Sequence, residues 1–146
     1  MKKKRIIYIK PANSSFIRGD QQIFEKENEV IPFLMDQNKN KLIYGLKLIG
    51  LTFFLLSTIF NKNVLFVSWF ADYHSALMAF MGKLLHKKTI VFIGGQEAVC
   101  YPELNKGVYR KKIRGLCVKF ALKNTDLIIA NHSSLIYHEN YYYNAE

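Results

Sequence analysis

A chain of 146 residues, half of them hydrophobic and 22% charged, has the makeup of one globular domain with a core; its 3 Pro and 8 Gly are too few for a linker or a low-complexity segment. Lys and Arg outnumber Asp and Glu by 21 to 11, and the resulting net charge of +10 favours anionic partners such as lipid headgroups, phosphates or nucleic acid. Two cysteines, Cys100 and Cys117, without CxxC spacing or a histidine at ligand distance beside them, argue against a zinc site or a disulfide framework and read as free thiols in a reducing cytosol.

The first five residues are basic, as in a signal peptide, but the apolar run that follows is broken at Lys10 and Pro11, too early for an export signal. Residues 5–10 read instead as a first buried strand, with a helix over 15–26 and a second strand over 29–34. Residues 42–60, LIYGLKLIGLTFFLLSTIF, are apolar nearly all round and about long enough to cross a bilayer. A span there would separate the first two strands from the later ones, and one sheet could not form. The stretch is therefore expected within a long helix over 39–60, one face on the sheet, the other shielded by a partner domain or dipping into a membrane interface.

A third strand is expected over 63–70, then a helix over 72–86 capped by Asp72, a fourth strand over 89–93, a helix over 106–123 and a fifth strand over 126–130. In the helix over 106–123, Tyr109, Ile113, Leu116 and Phe120 recur on one face, while Arg110, Lys111, Lys112, Arg114, Lys119 and Lys123 take its other sides. A last helix is expected from about Ser133, with Ser133 or Ser134 as its cap. This sustained alternation predicts an α/β fold, a Rossmann-like three-layer α/β/α sandwich on a parallel sheet, over residues 1–140. Residues 141–146 are expected to be a tail, cut before a further half, because a helix begun after strand five ordinarily returns to the sheet.

Parallel α/β sheets bind ligands at the carboxyl ends of their strands, which directs attention to the loops there. The loop after strand one offers Asn13, Ser14 and Ser15, donors and acceptors for a polyhydroxylated ligand or simply helix-capping groups. It lacks GxGxxG, and no GxxxxGK[ST] occurs anywhere, so dinucleotide oxidoreductases and nucleotide hydrolases lose support. Near the end of strand three stand Trp69, Asp72, Tyr73 and His74; after strand four come Gly94, Gly95, Gln96 and Glu97, with Tyr101 beyond. Asp72, His74 and Glu97 are candidates to bind sugar hydroxyls, and Trp69, Tyr73 and Tyr101 to cover a sugar's apolar face. Paired glycines let a ligand or another loop approach the backbone, or serve a turn of positive φ.

The order ADYHSALMAFMGKLL, KKTIVFIGGQEA, YPELNKG and DLIIANHSSLI, covering most of the chain from Asn63 onward, resembles the N-terminal domain of family-4 GT-B glycosyltransferases, most of all their capsule and polysaccharide members. Gln96 and Glu97 stand where those sequences commonly have an aromatic residue and Asp; Gly94 stands where other members have histidine, and the glycine-rich loop after strand one is missing. The resemblance implies an acceptor-side half of an enzyme that moves a sugar from a nucleotide-sugar, usually with retention and without an essential metal, to a saccharide expected to be lipid-linked. It implies no cofactor in this chain, with the nucleotide-sugar held by a missing C-terminal donor domain. Basic residues 2–5 and 106–123, with the apolar stretch 42–60, fit an anionic membrane surface, hence a cytoplasmic protein peripheral on the inner face of the cell membrane. The competing class is a stand-alone flavodoxin-like or receiver-like binding domain without catalysis, though the paired acids of a receiver are lacking after strand one. No motif supports specific nucleic-acid binding.

Overall fold

A computed structural model describes residues 3–36, 40–95, 97, 103–104, 106–133 and 135. Five strands, β1 (Arg5–Lys10), β2 (Glu29–Leu34), β3 (Val64–Trp69), β4 (Lys88–Ile93) and β5 (Leu127–Ala130), alternate with four helices, α1 (Ser15–Glu25), α2 (Lys41–Leu56), α3 (Tyr73–Leu85) and α4 (Lys112–Asn124). The strands form one all-parallel sheet in the order β2-β1-β3-β4-β5. This is the expected Rossmann-like α/β/α architecture. The expected last helix from Ser133 and the tail 141–146 lie almost wholly outside the described residues.

The order follows from handedness. A right-handed crossover from β1 to β2 places α1 on one face, and the three crossovers running the other way place α2, α3 and α4 on the opposite face. Alternation along each strand then makes two cores. Ile7, Ile9, Phe66, Val91 and Ile93 meet Leu51, Leu55, Met78, Met81, Val118 and Leu122 under the three-helix layer. Ile6, Tyr8, Val67 and Trp69 meet Ile17 and Phe24 under α1. The central strands are buried on both sides, as expected, whereas the edge strands β2 and β5 are only half covered. Pro32, which lacks a ladder N–H, sits accordingly on edge strand β2.

Two expectations about helices are corrected. The long apolar helix ends at Leu56, because Ser57 and Thr58 hydroxyls donate to the carbonyls of Phe54 and Leu55 and satisfy the last turn. At 16 residues it is shorter than a bilayer needs, and no helix among the described residues is long and apolar enough to cross a membrane. In α4 the face carrying Ile113, Leu116 and Phe120 points to solvent, and Gly115, Val118, Ala121 and Leu122 pack inward. A Cβ at Gly115 would lie 3.0 Å from Tyr109 Cα, so the smallest residue, rather than the largest, marks the buried side.

Candidate functional site

β3 delivers its loop through an unusual backbone. Phe70 continues the ladder by donating its N–H to Phe92 O at 2.8 Å, then takes φ +61°, a left-handed conformation rare for a bulky residue. That turn sends Ala71 inward and sets Asp72 as the N-cap of α3. The Asp72 carboxylate accepts from Tyr73 N, while Ser75 Oγ accepts from Asp72 N, completing a capping box. Asp72 also takes a bidentate pair from Arg114 of α4, with Nε at 3.1 Å and Nη2 at 2.5 Å. The Asp72 side chain is 5% exposed and the Arg114 side chain 29%. Such a fork fixes both orientation and charge.

The ion pair is a wall shared by two cavities at the carboxyl ends of β3 and β4. The first, about 330 Å³, is lined by Phe70, Ala71, Asp72, Gly94, Glu97, Val108 and Arg114. The second, about 520 Å³, opens between the starts of α2, α3 and α4; Tyr44, Gly45, Leu48 and Tyr73 form its less polar side, and Lys41, Lys111 and Arg114 its cationic side, against the one carboxylate of Asp72. Tyr44 and Tyr73 meet edge to face, ring centroids 6.4 Å apart. Burial, reinforced by the charge of Asp72, pushes the Tyr44 phenol well above its ordinary range, so it stays protonated.

Glu97 is 3% exposed and accepts from Gly94 N at 2.6 Å. Burial raises its pKa above 4.5; the backbone N–H groups of Gly94, Glu97 and Gly95 oppose that rise, and the charge of Asp72 adds to it. A carboxyl whose folded pKa is raised contributes stability that is complete below its unfolded value and is lost as pH climbs through the folded one. Glu97→Gln, which keeps an acceptor for Gly94 N, is therefore expected to be more stable than the parent at pH 7, with the difference vanishing below about pH 4.5. Thermal melts of both proteins across that range measure it; equal pH slopes would refute it.

The two glycines after β4 serve different ends. A Cβ on Gly94 would lie 2.5 Å from Phe70 Cε1, so this position is bare to admit the Phe70 ring. Gly95 has φ +144° with nothing near its missing side chain, a backbone requirement alone.

Of the residues singled out in the sequence, the structure gathers Asp72, Gly94 and Glu97 at one cavity and Tyr73 at its neighbour. His74 is fully buried and cannot meet a sugar. Its Nε2 lies 3.1 Å from Trp69 O, a pure acceptor, so Nε2 carries the proton, and Nδ1 accepts from Tyr44 Oη at 3.2 Å. Burial lowers its pKa, which keeps it neutral. Trp69, 4% exposed, stacks on Phe92 under α1 and donates Nε1 to Asp20, so it offers no ring face to solvent. Asn13, Ser14 and Ser15 flank the start of α1 and line neither cavity; Ser14 Oγ is buried without a hydrogen-bond partner among the described residues. Gln96 and Tyr101 lie outside the described residues. Sequence reading missed Tyr44, Lys41 and Lys111 as lining groups and gave Arg114 only to a basic helix face, since nothing local links Arg114 to Asp72, 42 positions away. Among the described residues no cluster of His, Cys, Asp and Glu is arranged to hold a metal ion.

No family model, curated protein or solved structure matches the chain.

Proposed function

We propose that this chain is the acceptor-side half of a glycosyltransferase of cell-surface polysaccharide synthesis, its acceptor a saccharide that carries phosphate, as a lipid-linked one does. The observation that supports this most is the cavity of about 520 Å³ between the starts of α2, α3 and α4. Two tyrosine rings suit the apolar face of a sugar, a positioned carboxylate and guanidinium suit its hydroxyls, and Lys41 and Lys111 suit a phosphate. The cavity lies at the carboxyl edge of a parallel sheet, the place where such folds bind ligands. Glu97, in the adjoining cavity, is the one buried carboxyl there not held in an ion pair among the described residues, and it is the group available for proton transfer.

A second reading, a binding domain without catalysis, draws on a specific feature: Asp72 is engaged by Arg114 and by the helix cap, and His74 is satisfied internally. Calorimetry on the whole chain tests the first reading. A pyrophosphate-linked disaccharide is expected to bind, and a nucleotide-sugar is not, because no glycine-rich phosphate cradle is present in these loops. Gly45→Glu is expected to keep the fold, since a Cβ there meets nothing within 4 Å, yet to weaken acceptor binding about tenfold by placing a charge in the cavity. Tight nucleotide-sugar binding by this chain alone, or acceptor binding indifferent to Gly45→Glu, would refute the assignment.

A further inference from the structure

The outer side of the three-helix layer is apolar along its whole width. On α2, Leu42, Leu46, Ile49, Phe53 and Leu56 repeat at spacings of four and three and are all exposed, Leu42 at 72% and Phe53 at 68%. They stand opposite a second stripe, Leu48, Leu51 and Leu55, that packs on the sheet, which explains why the helix is apolar all round. α3 adds exposed Phe80 and Leu84, and α4 adds Ile113, Leu116 and Phe120. Leu116 and Phe120 flank an apolar hollow with Phe80. Soluble proteins rarely expose contiguous apolar surface on this scale unless it meets something.

Charge says what it meets. α2, α3 and α4 together contain seven Lys or Arg (two, one and four) and no Asp or Glu. Acids are not scarce elsewhere: α1, on the opposite layer, has Asp20 and Glu25 against a single Arg18. Arg114 is answered by Asp72, the N-cap of α3, but a second copy docked through this layer would still set the six lysines of these helices against six others, with no acid within either set of helices. Apolar side chains among cations, on a layer of helices lying side by side, match an anionic lipid surface, where the apolar groups enter the acyl boundary and the lysines stay with the headgroups.

We infer that the outer face of α2, α3 and α4 docks on an anionic lipid bilayer. The inference goes beyond the sugar-transfer reading and does not depend on it. The candidate cavity of about 520 Å³ is lined by residues at the starts of α2, α3 and α4, at one end of this three-helix layer.

The test is flotation of the whole chain with vesicles of phosphatidylcholine alone, or with phosphatidylglycerol as the minor component. Partitioning is expected to be at least about tenfold stronger on the anionic vesicles and to fall steeply with added salt. Leu46→Glu with Phe53→Glu, both exposed, is expected to reduce it about tenfold or more while leaving the melting temperature nearly unchanged, and Lys112→Glu with Lys123→Glu to erase the preference for anionic lipid. Equal binding to both vesicles, variants without effect, or a concentration-dependent dimer abolished by the same glutamates in the absence of vesicle binding would each overturn the inference. Vesicle binding that persists where saccharide binding fails would remove the transferase reading and leave this one standing.

Discussion

Arg114→Ala is expected to destabilise the fold by about 3 kcal/mol, the lower end of the cost of stripping one partner from a buried ion pair, because the Arg114 side chain keeps 29% exposure. The loss would come chiefly from Asp72. That carboxylate, 5% exposed, would keep its cap contact to α3 but lose both charge-assisted bonds from the guanidinium. Asp72→Asn in the same molecule removes the stranded charge and leaves an oxygen to cap α3, so the double variant is expected to recover a large part of the loss. A double-mutant cycle by urea denaturation checks it. Strictly additive effects would mean that the pair contributes no coupling and that the wall between the two cavities is held by packing alone.

Gly94→Ala is expected to cost about 2 kcal/mol, within the range for forcing a methyl group into packed space. Its Cβ would stand 2.5 Å from Phe70 Cε1 and 3.3 Å from Cδ1. A ring can often swing away, but this one is held edge-on to Trp69 at 5.4 Å and to Phe16 at 6.4 Å, on a backbone already at φ +61°. Phe70→Leu should therefore relieve the clash, making the double variant more stable than the sum of the single changes predicts. Because Phe70 and Gly94 both line the cavity that holds Glu97, a displaced ring would also alter that cavity. Thermal melts of the four proteins decide it. A Gly94→Ala protein as stable as the parent would show that the loop yields freely.

The fold was legible in the chain because parallel strands buried on both faces must be continuous apolar runs, and the segments between them are of helix length. The cap at Asp72 was legible for a similar reason, since it depends on neighbours within three positions. So was the conclusion that residues 42–60 form no span, because one sheet required both flanks on the same side. What local pattern could not reveal was direction and partnership. Ile113, Leu116 and Phe120 have the spacing of a core face, yet only tertiary packing brings Tyr109 against Gly115 and turns those large residues outward. His74 reads equally as a ligand or a surface residue until α2 and the end of β3 close around it and satisfy both ring nitrogens. Arg114 meets Asp72 only because α3 and α4 lie side by side on the same face of the sheet, and Glu97 shares a cavity with Asp72 and Arg114 only because β3 and β4 are neighbours and α4 packs beside α3. Periodicity is a property of neighbours along the chain and is written there; which face a helix buries, and which distant charge a carboxylate meets, are decided by the competition of all segments for one core.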